Sequence, residues 1–172
     1  MKGVAAAAVA VLAGALAVPV LVVAVLATAV TGAAGGVRSP LDAGPAATAG
    51  PRGLVAVAWA LGHLGAPYVW GAAGPDAFDC SGLVLRAWEA AGVTLPRVAA
   101  DQYRAGAHVA VADAGPGDLV FFADDTADPA TIVHVGIALG DARMIDAPFT
   151  GAVVRIDPIA GPGLVPWATR PG

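Results

Sequence analysis

The chain has 172 residues, of which 58% are hydrophobic and 13% are charged, and its formal net charge is −4. This length fits one ordinary domain, and the charges are unevenly placed, because none lies between Lys2 and Arg38. From Ser39 onward, seven basic and thirteen acidic residues give a net charge of −6. That balance excludes a nucleic-acid-binding protein, which needs a basic surface.

Residues 1–31 are predicted to be a membrane anchor or a secretion signal. The stretch Val4–Val30 is almost entirely Ala, Val and Leu, and it exceeds the roughly 20 residues with which a helix crosses a bilayer. The small residues Ala27-Thr28-Ala29 offer a cleavage site for a signal peptidase. Both interpretations stay open, with a buried helix of a soluble protein as the third. Lys2 favours a cytoplasmic N-terminus and an exported domain.

Residues 32–52 are predicted to form a tether, and residues 53–172 the folded domain. The tether is rich in Gly, Ala, Pro and Thr and has no periodic apolar pattern, which is typical of a flexible linker. In the domain, helices come first and antiparallel strands afterwards, which indicates an α+β fold.

The helices are predicted from apolar residues at helical spacing, and the strands from short β-branched or aromatic runs between Gly, Pro and Asp. The predicted helices are Leu54–Leu61, residues 81–91 and Val98–Arg104, and the predicted strands are Asp118–Ala123, Thr131–Leu139, Ala142–Ala147 and Ala152–Ile156.

Cys80 is the single cysteine, so no intramolecular disulfide is available. A lone buried cysteine behaves as a small hydrophobe, but Cys80 stands where a Gly/Asp-rich loop enters a predicted helix. The positive end of a helix stabilises a thiolate, and the small Ser81 and Gly82 are expected to leave the sulfur accessible. The position favours a nucleophile, which needs a nearby base.

His134 is the candidate for that base. Strand alternation gives the strand two faces, with Val133, Val135, Ile137 and Leu139 on one and His134 with the small residues Gly136 and Ala138 on the other. This arrangement is expected to leave space for a helix or a substrate. His63 and His108 are expected to be surface or packing residues.

Asp146 is the candidate for orienting His134. A three-residue or longer odd-numbered turn between the two strands is expected to place residues whose numbers sum to 280 opposite one another, which pairs His134 with Asp146. A two-residue turn pairs His134 with Ala147 instead, and a solvated aspartate at a strand end is a further alternative. A carboxylate opposite the imidazole fixes its tautomer and stabilises its charged form. A zinc site of Cys80, His134 and Asp146 is the rival chemistry, but no metal-ligand motif accompanies them.

Six short motifs follow one another along the domain: Tyr68-Val69-Trp70-Gly71, Phe78-Asp79-Cys80-Ser81-Gly82-Leu83-Val84, Leu95-Pro96-Arg97 with Gln102, Pro116-Gly117-Asp118-Leu119-Val120-Phe121-Phe122, His134-Val135-Gly136-Ile137 and Met144-Ile145-Asp146-Ala147-Pro148. In order and spacing they resemble the NlpC-type family of bacterial cell-wall cysteine peptidases over roughly Leu54–Ile156. The resemblance implies a papain-like α+β fold, in which a helix bearing the nucleophile packs on an antiparallel β-sheet.

The resemblance also implies an activity, the cleavage of peptidoglycan stem peptides, most often at the D-γ-glutamyl–diaminopimelate bond. By position, Cys80 is the implied nucleophile and His134 the implied base. Asp146 takes the third, polar position, where many members have histidine and some have a carboxylate or an amide. An amidase or acyltransferase on the same fold and a non-catalytic wall-binding module are the alternatives.

The resemblance further assigns Tyr68, Asp79 and Ser81 to a pocket that holds the polar end of the stem peptide. No cofactor and no metal are expected. The expected partners are peptidoglycan stem peptides and, through the N-terminal segment, the membrane, but no nucleic acid. We expect a monomer on the extracytoplasmic face of the cell envelope, either anchored in the membrane or secreted.

Overall fold

The structure is a computed structural model that describes residues 50–172. The predicted membrane anchor or signal, residues 1–31, and nearly all of the predicted tether lie outside the described residues. Among the residues that are described, no helix combines the length and the apolar character needed to cross a membrane.

Helices precede strands in the chain, as the sequence predicts. The α-helices of the described residues are α1 (Pro51–Leu61), α2 (Cys80–Ala90) and α3 (Ala99–Tyr103), and the strands are β1 (Ala107–Ala110), β2 (Leu119–Ala123), β3 (Ile132–Ala138), β4 (Arg143–Asp146), β5 (Arg155–Pro158) and β6 (Trp167–Arg170). The strands form one sheet in the order β1-β6-β2-β3-β4-β5 with antiparallel pairing. The predicted α+β class with an antiparallel sheet is confirmed.

Three differences from the predicted elements exceed one residue. Helix α1 begins at Pro51, within the predicted tether, because proline suits the first turn of a helix. Strand β5 begins later than the predicted Ala152–Ile156, since Val153 pairs with Pro67 outside the sheet. Strands β1 and β6 were not predicted.

Helix α2 packs its apolar side on the sheet and builds the main core. Leu83, Val84, Ala87 and Trp88 are buried, as their helical spacing predicts, and they share one cluster with residues of β2 and β3. This packing fixes the N-terminus of α2 against the strand that carries His134.

Strand β6 lies inside the sheet, between β1 and β2. The hydroxyl of Thr169 donates to the backbone oxygen of Tyr103 at 2.6 Å. Arg170 donates through two nitrogens to the buried carboxylate of Asp118, at 2.8 and 2.7 Å. These contacts join the late strand to α3 and to the start of β2.

A bulge in β3 changes which residues face the core. Phe122 lies opposite His134, but the next residue of β2, Ala123, lies opposite Ile132. Val133 is therefore left without a partner in the ladder and is 58% exposed. Its predicted place on the apolar face is wrong, because the bulge gives the buried position to Ile132.

Candidate active site

Cys80 is the first residue of α2, as the sequence predicts. Asp79 caps the helix, since its Oδ1 accepts a hydrogen bond from the backbone N–H of Gly82 at 2.7 Å. The Cys80 side chain therefore stands at the positive end of the helix, where a thiolate is stabilised. Cys80 is buried and 7% exposed.

Gly82 has a packing role in the site. A Cβ added at Gly82 would lie 2.2 Å from the backbone oxygen of Ala72. The absent side chain therefore lets the loop before the helix approach α2 closely. Ser81 is also buried, and the accessibility of the sulfur past these two small residues stays a prediction.

His134 and Asp146 lie on the same face of neighbouring strands and are hydrogen-bonded. The distance from His134 Nε2 to Asp146 Oδ2 is 2.7 Å, and the side chains are 17% and 1% exposed. The carboxylate is thus held in the sheet while the imidazole keeps a small contact with solvent.

The strand register behind this contact differs from the predicted one. Ile137 lies opposite Ile145 and Ala138 opposite Met144, so facing residue numbers sum to 282 and not to 280. Continuing this register places Gly136 opposite Asp146, and a Cβ at Gly136 would lie 3.3 Å from the Cβ of Asp146. The carboxylate therefore reaches His134 diagonally, past a residue that has no side chain.

The environment of His134 favours its protonated form. Burial lowers the pKa of His134, but the hydrogen bond to Asp146 and the interaction with the Cys80 side chain outweigh it and raise the pKa to about 9. At neutral pH the imidazole is therefore an imidazolium placed between a carboxylate and a thiol. This arrangement can hold a thiolate and deliver a proton.

A second polar cluster lies at the same end of α2. Arg97 donates to both oxygens of Asp79, at 2.9 and 2.6 Å, and to the Ser81 hydroxyl at 2.9 Å. Asp79 Oδ2 also accepts from the backbone N–H of Gly71 at 2.8 Å. The sequence indicates only a structural role for Arg97, and its motif, Leu95-Pro96-Arg97, is the signal that could have placed it in this cluster.

Tyr68 lies near this polar cluster and near Cys80. It is 8% exposed, and burial together with the nearby Cys80 and Asp79 raises the pKa of its phenol, while Arg97 opposes that rise. The phenol is therefore protonated at neutral pH and available as a hydrogen-bond donor. All three predicted substrate-binding residues thus lie near Cys80.

The other two histidines lie in packing contacts. The ring of His63 stacks on Trp59 with 3.8 Å between centroids. The ring of His108 packs against Tyr103, and its Nε2 lies 2.9 Å from the backbone oxygen of that residue.

Comparison with known proteins identifies the family. The model of the NlpC/P60 family matches residues 65–171. The peptidoglycan endopeptidase RipB of Mycobacterium tuberculosis is 37% identical over 121 residues, covering 63% of this chain and 48% of RipB. A probable endopeptidase of the same species is 39% identical over 126 residues, covering 73% of this chain and 31% of that protein. The chain therefore matches less than half the length of either curated relative.

Solved structures agree with the sequence comparison. The structure of RipB superposes with a TM-score of 0.61 at 35% identity, covering 69% of this chain and 64% of the other. An NlpC/P60 family protein from Bacillus cereus superposes with a TM-score of 0.64 at 31% identity, covering 69% of this chain and 39% of the other. The motif order, the helix-on-sheet architecture and these similarities together show that the chain belongs to the NlpC/P60 family.

Proposed function

We propose that the domain is a cysteine endopeptidase that cleaves peptidoglycan stem peptides through Cys80, His134 and Asp146. The observation that carries this proposal is the hydrogen bond from His134 to the buried Asp146, beside a cysteine at a helix N-terminus. A nucleophile, a base and an orienting acid in this order form the arrangement used for acyl transfer.

In the proposed mechanism, His134 holds Cys80 as a thiolate that attacks the scissile carbonyl. The first N–H groups of a helix have no partner within the helix, so the N–H of Cys80 is available to stabilise the oxyanion. His134 then gives its proton to the leaving amine, and water hydrolyses the thioester. Asp146 stabilises the imidazolium throughout.

The cluster around Asp79 is the proposed binding site for the polar end of the substrate on the acyl side. Tyr68 offers a protonated phenol, and Ser81 offers a hydroxyl held by Arg97. Asp79 already accepts bonds from Arg97 and from two backbone N–H groups. It therefore supplies negative charge and fixes its neighbours within the site.

The proposed bond is the one between D-γ-glutamate and diaminopimelate. The test is digestion of defined muropeptides by the full chain, followed by mass spectrometry. The proposal expects a fragment with a new diaminopimelate amine from the wild-type chain and none from Cys80→Ala. Cleavage at another bond would refute this specificity, and equal cleavage by Cys80→Ala would refute the mechanism.

The amidase or acyltransferase alternative predicts different products from the same digestion. An acyltransferase would join the acyl part to an added amine, and an amidase would release the stem peptide from the sugar. A non-catalytic module would leave the muropeptides unchanged.

We also propose that residues 1–31 hold the protein at the membrane or direct its secretion and that the tether positions the domain outside the cytoplasm. The support is the charge-free apolar stretch that precedes the domain. Cell fractionation tests this proposal. A full-length form in the membrane fraction indicates an anchor, and a shortened extracellular form indicates a cleaved signal. A full-length form confined to the cytoplasm would refute both.

A further inference from the structure

We propose that Arg155 binds a carboxylate on the amine side of the scissile bond and so makes the enzyme selective for substrates with an unmodified acidic residue there. This inference rests on the proposed function and names a specificity residue for the same reaction. It concerns a cleft that is lined by His134 but by none of the residues of the Asp79 cluster.

The cleft contains the two proposed catalytic residues of the sheet. It has a volume of about 420 Å³, and its lining includes His134, Asp146, Phe149, Arg155 and Asp157. Arg155 lies on β5 directly opposite Asp146 on β4. Cross-strand partners point to the same face of a sheet, so Arg155 belongs to the face on which Asp146 holds His134.

Arg155 is held in place by two contacts that leave part of its guanidinium available. Its Nε donates to Asp157 Oδ2 at 2.8 Å, and its Cζ lies 5.4 Å from the centroid of the Phe149 ring. Among the described residues, neither terminal nitrogen of Arg155 has a hydrogen-bond partner, and the side chain is 43% exposed. A guanidinium with a free pair of N–H groups is suited to a carboxylate.

The two carboxylates of the cleft leave the terminal N–H groups of Arg155 free for an incoming anion. Asp146 is bonded to His134 through one oxygen, and its side chain is 1% exposed. Asp157 accepts from Nε of Arg155, which fixes the guanidinium and leaves its terminal nitrogens unused. The accessible positive charges of this cleft are therefore Arg155 and the imidazolium of His134.

The reaction chemistry places the leaving part of the substrate in this cleft. His134 must give its proton to the leaving amine, so the amine lies against the imidazole. The acyl part lies toward Cys80 and the cluster around Asp79. The substrate residue that carries the new amine is therefore expected to lie next to His134 on the side away from Cys80, within reach of Arg155.

The substrate class follows from the proposed bond. In a D-γ-glutamyl–diaminopimelate bond, the residue on the amine side is a diamino dicarboxylic acid. A carboxylate of that residue is the anion expected to meet Arg155. Amidation would remove its charge while preserving its size, so the amidated substrate is the appropriate comparison.

The experiment measures kcat and KM of the full chain on two γ-D-glutamyl–diaminopimelate peptides, one with free diaminopimelate carboxylates and one with carboxamides. Arg155→Gln should lower kcat/KM for the free-acid peptide by about 10- to 100-fold, mainly through KM, and leave the amide peptide unchanged. Arg155→Lys should recover part of the loss, because it restores the charge but not the paired N–H groups.

Arg143→Gln is the matched control. Arg143 lies on β4 and pairs with Asp141 two residues away, as Arg155 pairs with Asp157, but it does not line the cleft. It should leave both peptides unaffected. Equal losses on both peptides in Arg155→Gln, or no loss on either, would overturn the inference while the proposed function stands. A wild-type chain that cleaves neither peptide would overturn the proposed function and the inference with it.

Discussion

Replacing Asp146 by asparagine should move the alkaline limit of activity to lower pH. The hydrogen bond to Asp146 and the interaction with Cys80 raise the pKa of His134 to about 9 against the lowering effect of burial. The proposed mechanism needs the imidazolium, so activity is lost as the pH rises through this value. Asparagine keeps the size of the side chain but removes its charge, and the imidazolium then loses its proton at a lower pH.

The size of the shift is limited because Asp146 is one of two groups that raise this pKa. The pKa of His134 rises from the ordinary value of 6.5 to about 9, and Cys80 supplies part of the increase. We therefore expect the alkaline limb of Asp146→Asn to move down by about 1 pH unit, which corresponds to roughly 1.4 kcal/mol less stabilisation of the imidazolium. The fractional loss of activity should be greatest near the alkaline limb and smaller near neutral pH.

The assay is kcat/KM against pH on a purified muropeptide. Asp141→Asn is the control, because it makes the same charge change on an exposed residue of the β3–β4 turn that pairs with Arg143. The control should keep the wild-type profile. Asp146→Ala should show the shift and a lower maximum, since it also removes the contact that orients the ring. A wild-type alkaline limb in both Asp146 variants would show that this carboxylate does not hold the proton on His134.

Three further variants test the site. Cys80→Ala should abolish hydrolysis while leaving the circular dichroism spectrum unchanged, and residual wild-type turnover would refute a thiol nucleophile. Gly82→Ala should lower the free energy of unfolding by about 1–3 kcal/mol, measured by urea denaturation, because its Cβ would lie 2.2 Å from the backbone oxygen of Ala72; an unchanged midpoint would contradict this close approach. Gly136→Ala should lower kcat by about 10- to 100-fold, because the new Cβ would lie 2.7 Å from the Sδ of Met144 and 3.3 Å from the Cβ of Asp146, which displaces the strand that holds the carboxylate. Wild-type kcat in Gly136→Ala would show that the diagonal contact tolerates a side chain.

Local patterns in the sequence were sufficient to predict the helix that begins at Cys80 and the strand that carries His134. Cys80 follows a capping aspartate and precedes apolar residues at helical spacing, and these features specify a helix start. His134 lies in a long β-branched run, which specifies a strand. Both signals depend on residues close in sequence, so a single chain is enough to read them.

Features that depend on residues distant in sequence could not be predicted from local patterns. The register that places Asp146 depends on a turn in which Ala142 adopts a φ of 60°, and the exposure of Val133 depends on a bulge against β2. Arg97 reaches Asp79 across 18 residues of sequence. Strands β1 and β6 have four residues each, and they are defined by pairing with one another.

The position of β6 has a consequence for the order in which the domain folds. Strand β1 lies at the edge of the sheet and pairs with β6 alone, so residues 107–110 have no strand partner until residues 167–170 are available. Joining them closes a loop of about 60 residues, which costs chain entropy before the new contacts form. In a chain that folds as it emerges from a ribosome or a translocation channel, the residues of α2, β3 and β4 therefore emerge well before the sheet can be completed. Closure of the sheet is a late step, and it depends on a strand that carries none of the proposed catalytic residues.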